Sequence, residues 1–414
     1  MYLSLKNNKL YLILVIICLM QLLLFSCKGI ANNDNDKNNH ITIASNSNDA
    51  LNRASYLTVE YGNQTLDELM DVVKENKKLD IYNNYEIINS SPVEIIVPKN
   101  QTNSQSLSIV VNDNFGHLLV FDGGRIEDAD YLCDIIKDNG GVVTSWFITH
   151  IHDDHIGALY EILSKKRTDI IIKEIVCNFA NFDWYYSKMG DDAGIYFLFE
   201  NAIKDYNEFL KQNNLNEVNI LNESNLKSES HQYIFEYGII TKGDSPIFEC
   251  GTPPRSKMDS EEWDVINTIM SVNMLNDLYL LDKDPINNTS IVYCVEFFYP
   301  KKFNLIIFGD LGYQGGNILF DTINENISNN KSRSYYNNIL DNTEILVLSH
   351  HGQNGIDPEY YKKFSPKVVI WPTSKDIYEN SHGRYYTDDT KKVLSEMESI
   401  ELQIKSYEET AVIR

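Results

Sequence analysis

The stretch Thr149 to Leu159, THIHDDHIGAL, constrains this chain more than any other. It sets His150, His152, Asp154 and His155 within six residues, directly after Ser145 to Thr149 (SWFIT), a β-branched and aromatic run that reads as a strand. Residues two apart at a strand end point to one side, so His150 and His152 fall together. Asp154 and His155 then open a helix and point back over the same edge. Four metal-ligand groups therefore converge, in a chain with only 9 histidines among 414 residues.

The rest of the body supplies a scaffold for such a site. With 43% apolar and 11% aromatic residues the chain can bury a sizeable core. Strands are predicted at Val93 to Val97, Leu107 to Val111, Leu118 to Phe121, Ser145 to Thr149 and Asp169 to Val176. Helical spacing follows at Ile156 to Ser164 and at Ala193 to Lys211, and a further helical pattern runs from Glu261 to Met274. A second β-rich set comprises Ile291 to Phe298, Leu305 to Phe308, Ile345 to Leu348 and Val368 to Trp371. Helices are expected at Gly316 to Ile327, Pro358 to Phe364 and Thr387 to Met397. Two β/α halves joined by a helical insertion at about 193–286 suggest one domain over 90–414, with two sheets packed face to face between outer helices.

The leading residues read as an address. Lys6 and Lys9 precede the apolar run Leu10 to Met20, and LLLF, Ser26 and Cys27 follow. A basic stretch, an apolar stretch and a small residue before cysteine make an export signal over 1–27, with Cys27 the expected site of lipid attachment. An uncleaved membrane anchor or an ordinary secreted protein are the other readings, and all three place the body outside the cytoplasm. Residues 28–55 begin as an Asn/Asp-rich stretch without apolar period and read as a flexible tether, in which His40 is inert. Cys133, Cys177, Cys250 and Cys294 are widely spaced with no CxxC pattern, so buried free thiols are expected rather than a zinc ribbon. A formal charge of -23 disfavours long nucleic acid as a partner.

With its strand and its THIHDDH segment, the chain resembles the metallo-β-lactamase superfamily over about Val93 to Arg414. The resemblance implies an α/β fold of the αββα sandwich type, two mixed β-sheets face to face with helices outside. It can be followed along the chain. FDGG (Phe121 to Gly124) looks like the aspartate and glycine turn beneath the metal loop, so that Asp122 would accept a ring N–H from a ligating imidazole and raise its basicity. Gly309-Asp310 in FGDLG matches the aspartate that bridges two metals. His350, His351 and Gly352 resemble the HHG segment of one branch, and His382 in SHGRY stands where the family places its final histidine. Between His155 and Asp310 the only histidine is His231, in a polar stretch without a strand-end signature, and it is read as structural or exposed. HHG and the segment NNTSIV (Asn287 to Val292) are similar to a branch containing phosphorylcholine esterases and the hydrolase domain of competence proteins. His117 alternates with its strand and is expected to be structural.

By that resemblance His150, His152 and one of His350 or His351, with His350 favoured, would hold one metal. Asp154, His155 and His382 would hold the second, and Asp310 would bridge. Imidazole with carboxylate suits two zinc ions, although manganese or iron would also be accepted. Two divalent cations about 3.5–4 Å apart lower the pKa of a shared water towards about 7, which makes hydroxide available, with Asp154 and Asp310 holding the ions that do so. The expected activity is a phosphodiesterase outside the cytoplasm, anchored to the membrane through lipid on Cys27 and acting on a small-molecule or envelope phosphodiester. A lactonase or β-lactamase-like carbonyl hydrolase uses the same metals, and an inactive ligand-binding surface lipoprotein is the non-enzymatic alternative. Aromatic clusters at Phe182 to Tyr186 and at Tyr335-Tyr336 suit either a pocket wall or core packing.

Overall fold

The computed structural model describes residues 82–85, 93–113, 117–221, 232–234, 239–242, 265–270, 275, 278–297, 302–328, 333–380 and 383–414. The expected signal and tether, His231, Cys250 and His382 lie outside the described residues.

Two eight-stranded sheets form the middle of the molecule. The first, from edge to edge, is β1 (Tyr82–Tyr85), β18 (Thr410–Ile413), β2 (Glu94–Val97), β3 (Ile109–Asn112), β4 (Leu118–Phe121), β6 (Ser145–Phe147), β8 (Glu174–Val176) and β9 (Asn219–Leu221). The second is β10 (Gln232–Ile234), β11 (Ile239–Lys242), β12 (Val265–Met270), β13 (Val292–Phe297), β14 (Phe303–Ile307), β15 (Thr343–Val347), β16 (Val368–Trp371) and β17 (Leu402–Lys405). Two short strands, β5 (Val142–Val143) and β7 (Ile171–Ile172), pair separately. Both large sheets are mixed. β4, β6, β8 and β9 run parallel, as do β14 to β17, while β2–β3–β4 and β12–β13–β14 are antiparallel.

Helices cover the outer faces. On the first sheet lie α1 (Ala129–Asp138), α2 (Asp153–Ser164) and α4 (Gly194–Gln212), whose apolar stripes join one cluster with Ile96, Val110 and Trp146. On the second, α3 (Phe182–Met189), α5 (Tyr313–Ser328), α6 (Arg333–Asn342), α7 (Lys375–Glu379) and α8 (Thr387–Ser395) accompany the sheet, whose outer face buries Cys294, Ile306, Leu346 and Val369. Between the sheets the alternate residues Ile95, Val97, Ile109, Val111, Tyr293, Val295 and Phe297 form the central core. Most of these strands are thus buried on both faces, which explains why VEIIV and IVYCVEFF read as unbroken apolar runs rather than as alternating ones. Each fully buried Ile, Val or Phe contributes about 1.5–3 kcal/mol. This is the αββα sandwich expected, a metallo-β-lactamase-like fold.

The insertion is not helical throughout. It contains α4 but also β9 to β12, and the described part of the helix expected from Glu261 to Met274, Val265–Met270, is the strand β12. Its apolar spacing suits either element, and Val265, Ile266, Thr268 and Ile269 bring the β-branched content that sheet pairing rewards, with β11 on one side and β13 on the other. Asp169 to Val176 divides between β7 and β8. Of the aromatic clusters, Trp184, Tyr185 and Tyr336 are core, whereas Phe182 and Tyr186 are exposed. Cys133, Cys177 and Cys294 are buried free thiols. His117 is structural: its backbone N–H donates to Asp113 Oδ1 at 2.6 Å and its Nδ1 lies 2.5 Å from Asp113 Oδ2.

The two sheets are pinned together beneath the functional edge. Phe121 and Phe147, neighbours on β4 and β6, stack at 4.7 Å, and Tyr293 of β13 meets both edge-on at 5.7 and 5.3 Å. The Tyr293 hydroxyl donates to the Ile148 carbonyl at 3.0 Å, just before Thr149 and His150. On the other side, α2 lies against the turn after β4 because Gly157 has no side chain: a Cβ there would stand 2.6 Å from Ile126 N and 2.7 Å from Arg125 C, both main-chain atoms. Gly157→Ala should therefore destabilise the protein by at least about 1 kcal/mol despite the better helix propensity of alanine, because overpacking against main chain costs about 1–3 kcal/mol. A urea midpoint equal to or above that of the parent chain would show that α2 can shift freely.

Candidate metal centre

The site stands where parallel strands of both sheets end. From the first sheet, β4 ends in Asp122 and β6 leads to Thr149, His150, His152, Asp154 and His155 at the start of α2. From the second, β14 leads to Gly309-Asp310, and β15 to Ser349, His350 and His351. Open α/β sheets place sites at the carboxyl ends of their strands.

These donors fall into two groups, His150 with His152 and Asp310, and Asp154 with His155 and His351, each with its ligand atoms within 4.8 Å of one another. Each group draws on both sheets. In the first, His150 Nε2 and His152 Nδ1 face each other at 2.9 Å. In the second, His351 Nε2 is 3.1 Å from Asp154 Oδ2. Asp310 stands between the groups: Oδ1 is 3.1 Å from His155 Nε2, and Oδ2 is 3.3 Å from His351 Nε2 and 3.9 Å from His150 Nε2. His155 Nε2, His351 Nε2 and Asp310 Oδ1 are buried atoms with no hydrogen-bond partner. Buried polar atoms are normally satisfied, and orphaned imidazole nitrogens converging on an orphaned carboxylate oxygen fit a pair of cations.

Supporting bonds fix which ring nitrogen is presented. Asp122 Oδ2 accepts from His155 Nδ1 at 2.8 Å, and its two oxygens accept from the Thr149 N–H at 2.7 Å and hydroxyl at 2.8 Å. His351 Nδ1 lies 2.5 Å from the Pro372 carbonyl, which can only accept, so the proton sits on Nδ1. In both residues Nε2 is left to face the site. The main chain bends sharply to permit this. Asp122, His350 and His351 have φ of 53°, 47° and 58°, left-handed values that cost a non-glycine residue about 1–3 kcal/mol. Gly309, at φ 57°, approaches Thr149 so closely that a Cβ would lie 2.7 Å from the threonine Cβ.

Charge follows the same plan. Burial raises a carboxyl pKa, yet Asp154 and Asp310 are held well below the usual carboxylate range by the imidazoles around them. Burial lowers an imidazole, yet Asp310 and Asp122 hold His155 well above its usual value, and Asp310 and Asp154 hold His351 up at about 9. His150 and His152, with less carboxylate beside them, are pushed down by burial. The Asp122 carboxyl is pushed up by burial, against the opposing pull of His155.

The grouping differs from the expected one in one respect. One of His350 and His351 was expected beside His150 and His152, with His382 beside Asp154 and His155. Instead His351 accompanies Asp154 and His155, and His382 lies outside the described residues. The two consecutive histidines diverge, their rings 6.0 Å apart and inclined at 61°, because both residues take left-handed backbone. His350 Nε2 lies 3.8 Å from Asp310 Oδ2, outside both groups.

Three residues entered without a sequence role. Thr149 has just been described. Arg125, directly after FDGG, donates from one guanidinium nitrogen to Asp153 at 2.7 Å and stands 3.7 Å from Asp154 Oδ2. Asn287, the first residue of the NNTS turn, has its Nδ2 3.3 Å from His350 Nε2. Only its place in NNTSIV could have singled it out.

The sequence model of the metallo-beta-lactamase superfamily matches residues 102–216, the stretch that carries Asp122 and the THIHDDH loop. No curated protein matches the chain. Among solved structures it is similar to unliganded yeast PDE1 at 10% identity, over 78% of this chain and 97% of that one, with a TM-score of 0.40. It is also similar to YhfI from Bacillus subtilis, a metallo-beta-lactamase fold protein, at 9% identity over 76% and 96% with a TM-score of 0.38. A diphosphatase of the PhnP family matches at 9% identity over 70% and 91% with a TM-score of 0.34. Likenesses this distant carry no argument about activity. Over the matched segment the chain is similar to the metallo-beta-lactamase superfamily, and the sandwich of mixed sheets that carries the paired His/Asp groups at its edge has a metallo-beta-lactamase-like fold.

Proposed function

We propose that the chain is a binuclear metal-dependent phosphodiesterase. The observation that carries this reading is Asp310, whose two oxygens reach both donor groups at once. Two bound divalent ions would lower the pKa of water, polarise the scissile oxygen and offset the charge that develops on it. That arrangement suits a phosphodiester, whose two anionic oxygens match a pair of cations, and the HHG segment supports the branch with phosphorylcholine esterases and competence-type hydrolases. The protein's own part is positional. Asp122 and Pro372 present Nε2 of His155 and His351, Arg125 braces Asp153 and Asp154, and the Gly309 turn sets Asp310 between the groups. The acidic chain favours a small or envelope-borne diester over long nucleic acid.

We place the active domain outside the cytoplasm, tethered by lipid on Cys27. The basic, apolar and small-residue succession before Cys27 supports this, and no described helix is long and apolar enough to cross a membrane.

Four outcomes follow. Elemental analysis should find about two metal ions per chain, with turnover of bis-p-nitrophenyl phosphate and little of a lactone. Asp310→Ala should cut diester turnover by more than about 10²-fold and lower the metal content; a variant that turns over like the parent refutes the bridge. Asp122→Asn should weaken metal binding by about 10–100-fold, read by chelator competition, since His155 loses the acceptor of its ring proton. Equal affinity would mean that the ring orients without help. Cys27→Ala should abolish incorporation of labelled fatty acid, and a variant that still incorporates label rules out lipid at that cysteine.

A further inference from the structure

The two donor groups are unequal. Counting the shared Asp310, the second position has four protein donors, Asp154, His155, His351 and Asp310, whereas the first has only His150, His152 and Asp310. An ion held at the first position by three protein donors keeps coordination positions open, for water and for a further donor.

The turn Asn287–Thr289 stands beside His350, whose Nε2 lies 3.8 Å from Asp310 Oδ2. It is held by groups other than the Asn287 side chain. The Ile291 N–H donates to the Thr149 carbonyl at 2.9 Å, and the Asp310 N–H donates to Ser290 Oγ at 3.1 Å, so the turn is tied directly to both metal loops. Thr289 Oγ1 donates to the Ile286 carbonyl at 2.6 Å, and Asn288 Oδ1 accepts the Gly315 N–H at 2.6 Å. The Asn287 side chain has no such task. The residue is 6% exposed, its Nδ2 meets His350 Nε2 at 3.3 Å, and its Oδ1 is buried with no partner. An amide NH₂ can only donate, so this contact occupies the Nε2 lone pair of His350 and orients the carboxamide.

Building on the binuclear reading, we propose that Asn287 Oδ1 is a further donor of the first metal position, beside the water, and that His350 orients Asn287 instead of ligating. An oxygen there in place of nitrogen makes the first position harder and more tolerant of manganese.

The test is titration of the metal-free protein with Zn²⁺ and with Mn²⁺ separately, reading stoichiometry by elemental analysis and affinity by chelator competition. Asn287→Ala should hold about one ion where the parent holds about two, its weaker site losing about 100-fold in affinity. Asn287→Asp, which keeps an oxygen, should restore the second ion. Asn287→His should restore zinc binding while shifting preference away from manganese. His350→Ala should retain both ions with a loss of about 10-fold or less. The assignment falls if Asn287→Ala binds two ions like the parent, or if His350→Ala loses a whole ion while Asn287→Ala does not. It also falls if Asn287→Asp fails to restore the second ion although its urea midpoint matches the parent's. Should Asp310→Ala keep both ions at parental affinity, the binuclear reading itself fails, and the two failures are thereby told apart.

Discussion

Three carboxylates are buried at the site, Asp122 and Asp310 just after strands and Asp154 in the first turn of α2, and matching their charge organises the rest of the site. An ionised carboxylate removed from water is costly unless it is paired and hydrogen-bonded. Here each lies against imidazole. Asp122 contacts His155, Asp154 contacts His351, and Asp310 contacts His155 and His351. The compensation is local and directional, so small displacements of the loops would leave a buried charge without its partner. This explains why so much of the surrounding hydrogen bonding fixes main chain: the Gly123 N–H on the His155 carbonyl, the His350 N–H on the Gly309 carbonyl, the Ser349 N–H on the Tyr361 hydroxyl.

The same demand accounts for the strained backbone. Asp122, His350 and His351 all lie in the left-handed region, and none is glycine. Each would relax if it stood alone. They stay because β4 and β15 end under packed cores, with Phe121 stacked on Phe147 on one side and Leu348 and Trp371 fully buried on the other. Strain of this size persists only where the surroundings over-determine it.

Much of this was legible in the sequence because it follows from local period. THIHDDH announces its geometry through a strand spacing of two and the helix that follows. The buried strands announced themselves as short apolar runs bounded by turn residues. Other features depend on long-range packing and left weaker traces. The Val265–Met270 segment has a spacing that a helix would share, and only its neighbours β11 and β13 make it a strand. For His350 and His351 adjacency implied a common role. Two successive left-handed residues instead send the rings apart, and nothing in SHHG announces a positive φ except the glycine that ends it. Arg125 and Asn287 are ordinary polar residues until the chain folds, and what distinguishes them is a neighbour far away in sequence.

Each donor group takes residues from both sheets: His150, His152, Asp154 and His155 hang from the first, Asp310 and His351 from the second. The site is therefore a seam rather than a pocket cut into one layer. The apolar core between the sheets holds them together without directional preference, and it would tolerate a small slide of one sheet over the other more readily than the polar contacts above it. Tyr293 limits that slide, reaching from the second sheet to the Ile148 carbonyl just below the histidines. So does Ser290, tied by its hydroxyl to Asp310 while the next residue, Ile291, is bonded to Thr149. An ion shared by donors from the two sheets would add a third, stronger link across the same seam. The free energy of metal binding would then act in part as free energy of sheet docking.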